Sequence, residues 1–318
     1  MKGTPDIHFE RDSHFRLNLY FMSSHSIAIV GSVALDTIET PFKREENLIG
    51  GSATYATIAA GRSSLVYPVG IVGNDFPQDG FAIFQKYSAD LSDFQTVRGS
   101  TFRWGGKYDH TMDNRETLFT ELGVYETFSP ILSQKCKNSD YLFLANIHPE
   151  LQLSVMDQME GNPVIIVDTM NLWIETAKEQ LFEVIKGCDI LLINDSEAEL
   201  LSGQMNLDKA AEFLLELGPE KVIIKKGSKG CVSFSDKNVI SVGIFPVKNV
   251  VDATGAGDTF GGGYINGMAS GFGEMESIIL GSALASVCVE GFGVQALLSL
   301  KNEELIHRQK IIRESVSS

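Results

Sequence analysis

VVDATGAGDTFGGGYINGMASG, residues Val250–Gly271, crowds glycines around two aspartates, directly after a short apolar run and ahead of a stretch with helical character. Only glycine lets a backbone approach a bound anion with no Cβ in the way. Gly255-Ala256-Gly257, entering a helix, would present consecutive N–H groups at the helix's positive end. Asp258 follows at once. A carboxylate fixed where negative charge collects is costly unless it has a task such as accepting a proton. The pattern therefore suits phosphoryl transfer to a hydroxyl, with backbone dipoles on the transferred group and Asp258 as base. The residues alone leave a second reading open, in which the glycines serve close packing and Asp258 caps the helix. The stretch is a poor match to the dinucleotide fingerprint, which belongs on a first strand–helix turn. No GxxxxGK[ST] loop occurs, since KKGSKGC (Lys225–Cys231) lacks a Gly-Lys-Ser/Thr sequence.

Outward from this junction, short β-branched runs alternate with segments of helical period. SIAIVGSVALD (Ser26–Asp36), LVYPVGIVG, YLFLAN, VIIVDT, DILLIND, KVIIKKG and CVSFS are apolar on both faces and are separated by helix-length spacers. That is the signature of a buried parallel sheet with crossover helices, so the fold class is α/β, doubly wound. SATYATIAAGRSS after Gly51 reads as a helix, and DKAAEFLLELG as another, with Asp208 as N-cap and Gly218 as C-cap. Two stretches break the alternation: TIETPFKREENLIGG (Thr37–Gly51) and TFRWGGKYDHTMDNRETLFTELGVY (Thr101–Tyr125). Both are rich in strand formers, with Gly-Gly and Asp-Asn turns, and neither has a helical crossover. They read as hairpins of a small β lid, from about 36–50 and 96–124, over one edge of a main domain spanning 26–300, with 301–318 as a C-terminal helix or tail.

The 318 residues suffice for a large core, and 41 acidic against 26 basic side chains leave a formal charge of −15. That balance repels a phosphate backbone and offers no general pull toward nucleic acid or anionic lipid, so any phosphate must be held locally. The cysteines at 136, 188, 231 and 288 form no CxxC pair, and Cys188 and Cys231 sit in or beside apolar runs as buried thiols do. A reducing cytoplasm is the expected compartment. Residues 1–25 have mixed charge and no signal-peptide core, and no later segment reaches membrane-spanning length. With periodic structure beginning only at Ile27, and Met22 just before it, they read as a disordered leader.

At its full length, DATGAGDTFGGGY (Asp252–Tyr264) closely resembles the C-terminal signature of the ribokinase-like, or PfkB-type, carbohydrate kinases. These transfer the γ-phosphate of ATP to a sugar, nucleoside or related alcohol. The resemblance runs in the family's order from Ile27 to about Leu298. It implies that Asp258 is the catalytic base and that the amides of Gly255, Ala256 and Gly257 form the anion hole. Asp252 matches a position that in several members binds a monovalent cation (K+); read alone, it is equally a turn-stabilising residue. NDSEAE (Asn194–Glu199) resembles the Asn-x-x-Glu motif that organises Mg2+ near the phosphates, with Glu197 as the metal residue. Without the family, Glu197 and Glu199 both read as solvated helix residues.

IIKKGSKGC resembles the strand and turn along the nucleotide, with backbone approach at Gly227 and Gly230; Lys225 stands where relatives often carry Thr. GSALASVCVEGFG matches the segment lining the adenine pocket, with Ala283 and Val287 as contacts that read equally as core. GSVALD resembles the first strand, ending in an Asp that binds substrate hydroxyls, here Asp36. GGSATYA matches the Gly50-Gly51 turn that closes with the lid, but Tyr55 stands where relatives commonly place a sugar-binding Asn. The lid adds Trp104, Tyr108 and Arg115, which could stack on a ring or clamp an anion, or simply pack a hairpin. The expected function is ATP- and Mg2+-dependent phosphorylation of a small sugar or sugar-like polyol. The alternatives are a nucleoside acceptor, or a catalytically silent metabolite-binding relative. Neither nucleic acid nor membrane is an expected partner, and an exposed lid edge suits a homodimer.

Overall fold

The computed structural model describes residues 25–110, 112 and 115–316. The leader expected over 1–25 falls outside them except for residue 25, and so does the Asp-Asn turn at positions 113 and 114. In chain order the strands are β1 (Ser26–Val30), β2 (Ala34–Glu39), β3 (Arg44–Gly50), β4 (Leu65–Gly73), β5 (Phe94–Val97), β6 (Phe102–Tyr108) and β7 (Arg115–Glu121). They continue with β8 (Tyr141–Leu144), β9 (Val164–Asp168), β10 (Ile190–Asn194), β11 (Lys221–Lys225), β12 (Cys231–Ser235) and β13 (Val239–Val242). One sheet runs β13-β12-β11-β10-β9-β8-β1-β4-β5 and a second runs β3-β2-β6-β7. The large sheet is parallel from β5 to β11; β12 alone runs against these strands, and β13, antiparallel to β12, returns to their direction.

The apolar runs form central strands because both faces are covered. Ile27 and Ile29 pack into one core layer while Ala28 and Val30 pack into the other, and Phe143 and Leu144 alternate in the same way. Chain order reverses between β1 and β8, so the carboxyl ends of these strands open onto a switch point, where open α/β sheets bind ligands. The four cysteines are buried free thiols. No helix among the described residues is long and apolar enough to cross a membrane.

The second sheet joins the β2–β3 and β6–β7 hairpins through a parallel β2–β6 pairing, as expected of the lid. Its boundaries differ from the sequence reading. SIAIVGSVALD is not one strand: β1 belongs to the large sheet and β2 to the lid. The break at Gly31–Val33 is where the chain crosses the start of the helix Ser52–Ala60, with Ser32 N donating to Ser52 Oγ (3.0 Å) and Ser52 N to Ser32 Oγ (3.1 Å). Residues 94–97 are the edge of the large sheet, and the lid resumes only at Phe102.

The helix Leu207–Glu216 is capped by Asn206, whose side chain accepts from Lys209 N at 3.0 Å; Asp208 lies in its first turn and Gly218 beyond the C-cap Leu217. Asn and Asp cap equally well, and the first residue placed to reach the N3 amide takes the role. The C-terminal helix Asn302–Arg313 is no tail, since Leu305, Arg308 and Ile312 are buried against the domain.

Candidate active site

The quoted stretch divides physically into two parts. Gly255 ends the loop with φ +75° and caps the helix Ala256–Ala269. A side chain there would overlap the Tyr55 ring as well as strain the backbone. Farther along, Gly261, Gly262 and Gly263 serve packing. Added Cβ atoms would lie 2.9 Å from Phe143 Cε1, 2.7 Å from Ala56 Cα and 2.8 Å from Gly281 Cα, so one helix touches the sheet and two neighbouring helices at once. The close-packing reading thus holds for Gly261–Gly263, while Gly255 answers to the backbone conformation of the helix start.

At the helix N-terminus, Gly255 N and Gly257 N donate to no backbone acceptor among the described residues, while Ala256 N reaches Ala253 O only at 3.4 Å. Gly257 stands beside the carboxyl ends of β9 and β11, where an added Cβ would lie 4.0 Å from Asp168 Oδ2. The register pairs Leu192 with Asp168 and Asn194 with Lys225, so three polar strand ends stand side by side. Lys225 Nζ donates to Asp168 Oδ1 and Oδ2 at 2.9 and 2.8 Å, and lies 3.3 Å from where a Cβ on Gly257 would stand. Burial alone would lower the Lys225 pKa, but the charges of Asp168 and Glu197 outweigh it and hold the ammonium protonated. Asp168 was missed in the sequence. Its signal was a carboxylate closing the apolar run VIIVD at the carboxyl end of a parallel strand.

Asp258 sits in the helix's first turn. Burial first, then the charge of Asp168, raises its pKa to about 7, against the opposing pull of Lys225 and Arg115. A carboxylate poised near neutrality is suited to accept a proton. Asn194 caps the helix Asp195–Ser202, its Oδ1 accepting from Glu197 N (2.8 Å) while Glu197 Oε2 accepts from Asn194 N (3.0 Å). Glu197 is buried and its pKa rises to about 7, mainly through burial, whereas Glu199 is exposed as a solvated helix residue would be. Asp252 is buried with both oxygens engaged, Oδ1 by Thr254 N (2.9 Å) and Oδ2 by Gly293 N (3.1 Å). This is the turn-stabilising arrangement.

On the lid side, Asp36 is buried in β2, paired across the lid sheet with Leu48 and Trp104. Burial, then the charges of Asp252 and Asp258, raises its pKa to about 8, so the lid carboxylate and the signature aspartates share one electrostatic environment. Gly50 passes against the Asp36 carboxylate, and Gly51 turns at φ +90°. Tyr108 Oη lies 2.9 Å from Thr254 Oγ1, joining lid to signature loop, and Arg115 stacks 5.0 Å over the Trp104 ring. Ile38, Tyr108 and Met112 pack with Leu48, Trp104, Ala253 and Phe292 in a small apolar cluster. Tyr55 is placed differently from a lid contact: its ring is 1% exposed and packs beneath Gly255.

A cavity of about 380 Å³ opens beside the helix N-terminus, its polar side formed by Lys225, Gly227, Gly230 and Gly257 and its apolar side by Phe245, Val250 and Val289. Ala283 and Val287 do not line it. They face the core, and the cavity is lined instead by Ser282, Ala285, Ser286 and Val289 of the same segment. The segment thus meets the cavity through a different face from the expected one, because positions at helical spacing of three and four residues turn together and the most apolar of them seek the core. Among the described residues no three acidic, His or Cys side chains cluster to hold a metal.

A model of the pfkB family of carbohydrate kinases matches residues 112–301. The cytidine kinase of Thermococcus kodakarensis is 27% identical over 273 residues, which cover 84% of this chain and 97% of the relative. The ribokinase of Bacillus subtilis is 26% identical over 315 residues, covering 87% and 97%. The structure of Arabidopsis thaliana ribokinase complexed with ribose and ATP superposes with a TM-score of 0.70 at 23% identity, over 90% of this chain and 99% of that one. With a family match over more than half its length, on a sheet-and-lid fold with this glycine-rich helix start, the chain belongs to the pfkB family of carbohydrate kinases and is an ATP-dependent kinase.

Proposed function

We propose that the protein transfers the γ-phosphoryl group of ATP to a hydroxyl on the sugar moiety of a nucleoside. The observation that carries the chemistry is the convergence of Lys225, the unmatched Gly257 amide and Asp258 at one helix start. In this reading the ammonium and amides stabilise charge on the phosphoryl group, and Asp258 takes the proton of the attacking hydroxyl. Asp36 anchors neighbouring hydroxyls, and the lid excludes water that would compete for the phosphate.

The nucleotide would lie in the cavity beside Lys225 and Gly227, whose size and open backbone suit it. Mg2+ commonly uses one or two carboxylates plus substrate phosphates and waters, so Glu197 can hold it without a protein cage; bound there, it neutralises phosphate charge. Engagement of both Asp252 oxygens by amides leaves the K+ site resting on the family resemblance alone.

A nucleoside is favoured over a free polyol because the surface beside Asp36 is mostly apolar, with Leu48, Trp104 and Phe292. A base can use that surface; additional free hydroxyls would lose their water there unpaired. The free-sugar reading retains one argument, that a buried carboxylate is a strong polyol anchor. ADP release with Mg-ATP against pyrimidine and purine nucleosides, ribose and other sugars decides between them, with Asp258→Asn as control. Turnover confined to free sugars would refute the nucleoside assignment. The edge strands β3 and β7, unpaired on their outer sides among the described residues, also offer a surface for a lid-to-lid homodimer, to be read from solution mass.

A further inference from the structure

Arg308, on the C-terminal helix, is 4% exposed, deeper than a guanidinium usually lies. Its contacts explain the depth. The guanidinium carbon stands 4.5 Å from the centroid of the Phe245 ring, Nη1 donates to Ser286 Oγ at 3.1 Å, and Nη2 pairs with Glu290 and with Glu304, the latter at 2.5 Å. His307 meets the same Phe245 ring edge-on at 6.1 Å. Phe245 and Ser286 both line the cavity beside the helix start, whereas Arg308 does not; it stands behind them. The two wall residues come from separate elements, the connection after β13 and the helix Glu274–Cys288. One planar side chain thus fixes an aromatic face and a hydroxyl from distant parts of the chain.

If the cavity holds a nucleotide, the phosphates belong with Lys225 and Gly257, which leaves the apolar walls for the base. We infer that Arg308 is a positioning residue for nucleobase binding, holding the Phe245 ring as the base's stacking surface and Ser286 at its fixed place in the wall. The inference rests on the proposed nucleotide reading of the cavity. A stacked guanidinium sets the ring's orientation on one face and leaves the other for a base. The ion pairs with Glu290 and Glu304 hold the guanidinium in place.

Calorimetric binding of Mg-ATP, Mg-ADP and AMP to the full chain tests this, comparing wild type with Arg308→Lys and Phe245→Leu. Lysine can keep a charge for Glu290 and Glu304, and so keep the helix tied, but it cannot lie flat on the ring. Arg308→Lys should weaken all three nucleotides by a similar factor, about five- to twentyfold, with a melting temperature close to wild type. Phe245→Leu, which leaves every ion pair of Arg308 in place, should reproduce the uniform loss. Unchanged affinities in Phe245→Leu overturn the inference, as does an Arg308→Lys loss that grows from AMP to ATP, which would mark an effect on the phosphates. A wild-type chain that binds none of the three nucleotides overturns the reading of the cavity as well.

Discussion

The ammonium of Lys225 lies 2.8 and 2.9 Å from the two carboxylate oxygens of Asp168, at the start of the helix that carries Asp258. Side-chain exposures of 16% and 4% make this a buried ion pair. Each partner is tolerable there only because of the other. Removing one partner of such a pair typically costs about 3–5 kcal/mol, because the remaining charge stays buried and uncompensated. Lys225→Thr should therefore destabilise the fold by about that amount, and adding Asp168→Asn should recover part of it. Urea denaturation of both single variants and the double variant reads the coupling. Independent, additive losses would show that the pair is not a unit.

Asp258→Asn removes the proposed base and leaves the backbone amides in place. Turnover should fall at least ~10²–10⁴-fold, the usual range for losing a general base, while ATP affinity stays within about twofold. In wild type, a carboxylate with its pKa raised to about 7 must be ionised to accept a proton. Activity should rise with pH through that value and fall below it. A rate independent of pH between 5.5 and 8 would contradict the assignment.

Asp36 has its pKa raised to about 8, first by burial and then by Asp252 and Asp258. A carboxylate whose folded pKa is raised favours folding most below the unfolded value of about 4, and that contribution is lost as pH climbs to the folded value. Asp36→Asn has nothing to ionise. Its melting temperature, relative to wild type, should improve between about pH 4 and pH 8 and level off above. The same variant should raise the acceptor KM, and an unaltered KM would remove Asp36 from the acceptor site.

Gly255 at φ +75° has the Tyr55 ring where a Cβ would go. Gly255→Ala should cost about 1–3 kcal/mol through backbone strain and displacement of the ring, with loss of turnover as the amides shift. Chemical denaturation measures the first and ADP release the second.

Tyr108 and Thr254 tie lid to signature loop at 2.9 Å. Tyr108→Phe takes away the hydroxyl that makes this bond and also meets Arg115; with a hydrogen bond worth about 1 kcal/mol, it should raise the acceptor KM about fivefold. An unchanged KM with normal stability would show that this bond does not hold the lid over the acceptor.

Much of the fold was legible in the chain because its signals are local. Runs such as VIIVD and ILLIN are apolar on both faces, which only a covered parallel sheet accommodates, and the hairpin stretches lack a helical spacer. The Gly255–Asp258 turn was legible for a similar reason, since amides, missing side chains and carboxylate lie within four residues. Asp168 was not, because its partner Lys225 is 57 residues away and meets it only through the β9-β10-β11 strand order. Nor was the cavity face of the helix Glu274–Cys288. Small and apolar residues occur all around that helix, and only its packing determines that Ser282 and Ser286 face the cavity while Ala283 and Val287 face the core. Arg308 is the extreme case: a charged residue near the chain's end reads as solvated, and burial between Phe245, Ser286 and two glutamates is decided wholly by tertiary contacts. Sequence by itself determined which segments become strands and helices and where a glycine-rich helix start stands, since those follow from short-range sterics and periodicity. Which distant charges meet, and which face of a helix turns toward the cavity, depended on the assembled sheet.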